Sequence, residues 1–341
     1  MAVEAQFRGA EQIMDSQSIL ALLNTPGVGR RSVQQILARN VTLDICLPRE
    51  LRELLIETRT SGKASVPSIG DFERGCSEAM RVIEDAESQG VKIISSHDSR
   101  FASQLWSIPD PPVVLYVKGE LSALAHPAIA VVGTRDPTSF GAAAAERLGA
   151  SVGAKGFVVV SGLALGCDTA AHEGCLQAHG ITVAVLAHGL DYVYPAKNRA
   201  LANFILDGEG ALVSEYAPGT KPRPSYFVER DRLQSALSLG VIVIETDVEG
   251  GTMHTAGFAL KQQRRLACLV HPPKFASPEK ARGNQKLIKE SGAFPLEKKE
   301  DLDAFIALLL PHGVIKQGLM IEPQDESKLT SEQMDLFLGG K

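Results

Sequence analysis

Cysteine is scarce and scattered: Cys46, Cys76, Cys167, Cys175 and Cys268 are odd in number and include no CxxC pair. That spacing argues against both a zinc site and a disulfide framework, and reduced thiols in a cytoplasmic protein are expected. The apolar runs fall far short of a membrane span, and no basic-then-apolar leader opens the chain, so no membrane partner is expected. His188, His254 and His271 stand alone without ligand spacing, and no metal is expected. No Walker lysine pattern occurs, which argues against ATP hydrolysis, and no cofactor is indicated. An excess of positive charge is missing too. The net charge of −5 argues against a protein that coats duplex DNA everywhere, although it leaves room for a local basic groove.

What the 341 residues do contain is an ordinary soluble composition, 44% hydrophobic and 22% charged, and a regular alternation of apolar runs and glycine turns from Ile129 to Val270. Ile129 to Val132 leads into Gly133, Thr134 and Arg135. Phe157 to Val160 leads into Ser161 and Gly162, then Gly166 and Asp168. Val241 to Ile244 leads through Glu245 to Gly250, Gly251 and Thr252. A strand, a glycine turn and a helix start, repeated along one sheet, build an anion-binding edge, because the amides at a helix start point outward. Strands are expected near 129–132, 157–160, 182–186, 211–213, 241–245 and 266–270, with helices near 139–154, 168–179, 197–206 and 253–263. This alternation predicts an α/β fold: an extended Rossmann-like, doubly wound, mostly parallel sheet. Shorter strands at 91–95 and 113–117 and an amphipathic helix over 71–89 extend it.

Three regions follow: a small N-terminal all-α domain over 1–65, the sheet domain over 66–312, and a flexible polar tail over 313–341. In the first, an apolar patch from Ser18 to Leu23 meets Gly27, Val28 and Gly29, and Val33, Ile36 and Leu37 then fall at helical spacing. This is a helix-hairpin-helix pattern. Its glycine amides with Arg30 and Arg31 would face a DNA phosphate, or it is a plain helical turn capped by Gly27.

Among the candidate site residues, Arg135 sits at a strand end, where a guanidinium clamps phosphate. Asp168 and His172 share one helix face, as an acid–base pair would, but no nucleophile accompanies them, and a helix cap is preferred. Lys197 either reaches an anion or is solvated. Between Lys221 and Arg232, four basic residues interleave with Tyr226 and Phe227, as single-stranded nucleic acid requires. A surface loop with buried aromatics is the other reading.

These motifs together resemble the DprA/Smf family of bacterial DNA-processing proteins, from about Asp98 to Leu296. The resemblance rests on Val132-Gly133-Thr134-Arg135, Ser161-Gly162-Leu163-Ala164, Asp168 to His172, Tyr194-Pro195 with Asn198, Ser214-Glu215-Tyr216, and Gly283-Asn284. It implies a dimeric, non-enzymatic protein that binds single-stranded DNA in uptake or recombination and helps load the recombinase RecA. It also implies phosphate contact by Arg135, base contact by Phe227, and a DNA role for Arg230 and Arg232. The chain departs from the family pattern at Asp231, where asparagine is usual. A carboxylate there would repel phosphate unless Arg230 or Arg232 pairs with it. Leu165 stands where arginine is common. In the tail, Gln333-Met334-Asp335-Leu336-Phe337 resembles the pentapeptide that docks on the replication sliding clamp, or else the segment folds back on its own domain. The competing reading is a nucleotide-binding sensor or phosphoribohydrolase-like enzyme, built on Gly250, Gly251 and Thr252 with Glu245.

Overall fold

Strands form where the sequence is apolar without alternation, and the structure, a computed structural model, buries them on both faces. It describes residues 16–39, 47–59, 65–275 and 278–310. The described residues up to Leu309 belong to one compact unit, and the expected clamp-binding pentapeptide lies outside the described residues. No described helix is long and apolar enough to cross a membrane.

The strands are β1 (Val91–Ser95), β2 (Val114–Gly119), β3 (Ala128–Val132), β4 (Val158–Ser161), β5 (Thr182–Leu186), β6 (Ala211–Ser214), β7 (Gly240–Val243), β8 (Arg265–Leu269) and β9 (Phe294–Leu296). They make one sheet in the order β1-β2-β6-β5-β4-β3-β7-β8-β9. β3 to β9 run parallel to one another, and β2 and β1 join antiparallel at one edge. From β3 the chain first builds toward β6. It then returns to place β7 on the other side of β3, so β3 and β7 flank the point where strand order reverses. In such sheets, ligands bind in the crevice at the carboxyl ends of those strands.

Helices cover both faces. α1 (Ser16–Leu23), α2 (Arg30–Leu37) and α3 (Pro48–Thr58) form the N-terminal group, and α4 (Ile69–Ser88) runs beside it. A reciprocal capping box starts α4, with Ser68 and Asp71 each bonding the other's backbone. α5 (Ser139–Ala154) and α6 (Cys167–Gln177) follow β3 and β4. α7 (Arg199–Asp207), α8 (Pro224–Ala236), α9 (Thr252–Lys261), α10 (Pro278–Ser291) and α11 (Lys299–Leu309) complete the set. α5 and α6 pack backbone to backbone: a side chain at Gly149 would strike the Ala171 carbonyl, and one at Gly174 the Glu146 carbonyl.

The expected strands and helices of the sheet domain form within a few residues of where periodicity places them. α8, α10, α11 and β9 were not foreseen. α8 carries Arg230, Arg232, Leu233, Gln234, Ser235 and Ala236 all buried, so polar and apolar side chains alike face protein and no amphipathic period marks it.

Two arginines credited with nucleic-acid contact do other work. Arg232 is 4% exposed; its Nη1 and Nη2 donate to Glu215 at 2.5 and 2.7 Å, and its Nε donates to the Asp110 carbonyl at 3.0 Å. Arg30 of α2 pairs with Asp110 and, at 3.3 Å, with the same Glu215. Gln34 adds a bond to the Pro111 carbonyl at 2.6 Å. The cluster therefore ties α2 and α8 to the end of β6. Arg30 is spent on this contact, while Arg31 stays exposed.

Glu215→Ala leaves the buried Arg232 charge without its bidentate partner. A loss of about 3–5 kcal/mol is expected, read as a lower urea midpoint at unchanged slope.

Candidate nucleic-acid interface

A cavity of about 580 Å³ opens at the β3/β7 reversal. Gly133, Thr134 and Arg135 after β3 line one wall, and Gly250, Gly251 and Thr252 after β7 another; Phe227, Arg230 and Asp231 of α8 and Lys280 of α10 complete it.

Each of the three glycine turns precedes a helix, yet their helix starts differ. The α5 start is closed: Thr138 accepts from Gly141 N at 3.0 Å, and Glu245 accepts from Thr138 N at 2.8 Å and Thr138 Oγ1 at 2.5 Å. At the α6 start, Asp168 reaches back to accept from Gly162 N at 3.1 Å and Ala164 N at 3.4 Å. Asp168 thus caps the preceding loop rather than its own helix. At α9, Gly251 supplies no side-chain cap; Met253 N and His254 N donate to the Gly250 and Gly251 carbonyls at 2.9 and 3.0 Å, which leaves Gly251 N and Thr252 N for a ligand. Thr134 N is taken by the Glu245 carbonyl at 2.8 Å, so those two amides and the Arg135 guanidinium are what the cavity offers an anion.

Arg135 is exposed at the mouth. Its guanidinium carbon lies 5.0 Å from the centre of the Phe227 ring, a cation–π contact that holds the charge over an aromatic face. Asp136 does not pair with it and instead takes Lys280, at 2.8 Å. Arg230 lies below, 5% exposed, with Nη1 donating to the Val185 carbonyl at 2.5 Å. Its Nε has no hydrogen-bond partner among the described residues, although Asp231 Oδ1 lies 3.2 Å away as a counter-ion. A side chain at Gly162 would collide with this guanidinium, so glycine is needed there for packing. Burial pushes the Asp231 carboxyl up to about 6, with Arg230 opposing and Asp168 adding to the rise.

The expected site residues are therefore divided. Gly133, Thr134, Arg135, Phe227, Arg230, Gly250, Gly251 and Thr252 line the cavity together. Ser161 is buried and donates to the Val131 carbonyl at 2.7 Å, Gly162 packs behind Arg230, Lys197 is exposed outside the lining, and Arg232 is in the Glu215 cluster. Sequence reasoning missed Gln234, Thr255 and Lys280, which sit on helices with no visible pattern. Asn284 was seen only as a motif. Buried, it donates to the Ile244 and Leu269 carbonyls at 2.8 and 3.0 Å and accepts from Thr246 N at 3.0 Å, fixing the loop that leads to Gly250.

Two chemical alternatives lose their residues. His172 is fully buried beside Thr182 Oγ1 at 2.7 Å, and burial pushes its pKa down to about 3, so it stays neutral. Glu245 is fully buried, accepts from His271 Nε2 at 2.9 Å as well as from Thr138, and does not line the cavity.

Comparison with known proteins identifies the family to which this fold belongs. The family model for DNA recombination-mediator protein A matches residues 92–307. The chain is similar to protein Smf of Synechocystis sp., 35% identical over 68% of this chain and 58% of that protein. It is also similar to DNA processing protein DprA of Bacillus subtilis, 37% identical over 65% of this chain and 73% of the relative. It thus spans little more than half the length of the Synechocystis protein. Among solved structures, DprA of Streptococcus pneumoniae superposes with a TM-score of 0.70 at 28% identity, over 86% of this chain and 98% of that one. DNA processing protein A of Helicobacter pylori, described for its single-stranded DNA binding mode, gives 0.56 at 28% identity, over 64% and 95%. The family match runs from β1 to α11 and includes all three glycine turns, and the chain belongs to the DNA recombination-mediator protein A family.

Proposed function

We propose that this protein binds single-stranded DNA in the β3/β7 cavity and acts as a cytoplasmic recombination mediator, without a catalytic step of its own. The observation that carries the reading is Arg135 held over Phe227 at the mouth of an uncapped helix start. The cation and the amides suit phosphate, and the aromatic face suits an unpaired base, a combination that single-strand binders use. The absence of Glu245 from the cavity lining weighs against a phosphoribohydrolase, whose chemistry needs a placed carboxylate. Homodimerisation and delivery of DNA to RecA are the finer parts of the proposal, supported by the resemblance of the motifs. A sliding-clamp contact through Gln333 to Phe337 is supported by the chemistry of that peptide alone.

Arg135→Ala is expected to weaken binding of a fluorescent single-stranded oligonucleotide by at least about tenfold and to reduce the salt slope by about one ion. Phe227→Ala is expected to lose about tenfold with the slope unchanged, since stacking releases no counter-ions. An Arg135→Ala protein with wild-type affinity and slope would sink the cavity reading.

The pH dependence has a definite sign. Asp231 is negative above a pKa of about 6 and neutral below it, and as an anion it competes with phosphate for Arg230 and Arg135. The other groups facing it are Asp168, Gln234 and Thr255. Affinity is therefore expected to rise roughly threefold to tenfold as pH falls from about 7.5 to about 5.5, in line with removal of one nearby charge. Asp231→Asn should bind more tightly at neutral pH and flatten the profile. His254→Gln, at another lining residue, should leave the profile in place. A wild-type profile that survives Asp231→Asn would assign the effect elsewhere.

A further inference from the structure

Outside the cavity, the loop after β5 carries a tyrosine that the site description does not use. Tyr194 is 46% exposed. Its ring centre lies 6.1 Å from that of Phe227, tilted by 54°. On a second side, the buried His188 meets it edge-on at 6.5 Å, and His188 is itself stacked on Tyr192 at 4.7 Å. The ring is thus braced by Phe227 and His188 while much of it stays open to solvent.

The loop is also fixed relative to the cavity. Asn198 Nδ2 donates to the Leu163 carbonyl at 2.8 Å and to Thr169 Oγ1 at 2.8 Å. Leu163, whose φ of 55° is in the left-handed region, leads into Ala164, which lines the cavity. Beyond Tyr194 come Lys197 and Arg199, both exposed and neither in an ion pair among the described residues. Arg135 thus lies over Phe227 and Phe227 beside Tyr194, and two exposed cations, Lys197 and Arg199, follow Tyr194 within five residues of chain.

We propose that Tyr194 is a second base-stacking platform, and that single-stranded nucleic acid leaves the cavity over Phe227 and crosses Tyr194 toward Lys197 and Arg199. The inference rests on the reading of the cavity as a single-strand site. It adds a contact outside the cavity, for a nucleotide that the cavity itself does not hold. Stacking tolerates any base, so the platform extends the footprint without adding sequence preference.

The test is anisotropy with two oligodeoxythymidylates, one of about 6 and one of about 20 nucleotides, within and beyond the site sizes common for single-strand binders. Wild type should gain affinity with length. Tyr194→Ala should lose about tenfold on the long strand and nothing on the short one, while Tyr194→Phe should match wild type on both. With 5-bromodeoxyuridine placed along the long strand, irradiation should cross-link a peptide containing Tyr194. A Tyr194→Ala protein that binds both lengths as wild type does overturns the platform and leaves the cavity reading standing. Equal losses on both lengths together with a lowered melting temperature make Tyr194 a structural residue and also overturn it. A wild type that binds neither strand overturns the cavity reading itself.

Discussion

The buried guanidinium of Arg230 is the constraint around which the candidate site is arranged. A full charge in a protein interior costs several kcal/mol in lost hydration unless partners replace the water. Here a strand carbonyl, Val185 O, takes one nitrogen, and Asp231 lies 3.2 Å from another. Asp168 is the further carboxylate whose state this charge influences. Gly162 has no side chain because the guanidinium occupies that space. The loop after β4, the α6 start and the floor of the cavity are thus consequences of one cation.

That arrangement explains how an acidic protein presents a local anion site. The net charge of −5 belongs to the whole surface. The cavity instead combines Arg135, Arg230 and Lys280 with a helix start that lacks a side-chain cap; of the carboxylates that also line it, Asp231 is protonation-sensitive, Asp247 is paired with Arg282, Asp168 accepts from loop amides, and Glu279 is left beside Lys280. Asp231 is the clearest case. The sequence raises the question of whether a carboxylate there would repel phosphate or pair with an arginine. Its pairing with Arg230 satisfies the condition under which it is tolerated, and its raised pKa makes its charge dependent on pH.

The two arginines of the Arg-Asp-Arg segment show how neighbouring residues in one helix take different roles. Arg230 turns toward the cavity. Arg232, two residues on and so on another side of the helix, enters the cluster with Glu215, Asp110 and Arg30 that joins the N-terminal helices to the sheet. Basic residues close in sequence do not make one basic surface when a helix separates their directions.

The sequence by itself determined the alternation of strands and helices from β3 to α9 and the glycine turns, and it offered Arg135 and Phe227 as separate candidate contacts. Those features leave local marks: apolar runs buried on both faces, and glycines where backbone must approach closely. Tertiary structure alone decided which of three similar helix starts receive partners from distant segments. Glu245 and Thr138, 107 positions apart, meet over α5, and the Thr134 carbonyl takes Cys167 N at the α6 start, while the α9 start bonds only the carbonyls of its own loop. It also decided that Arg232 and Arg30 are structural and that Lys280 closes the cavity. A long-range ion pair leaves no period in the chain, and the second half of α8, buried among polar and apolar neighbours alike, shows none, so these assignments become visible only when the sheet brings distant segments together.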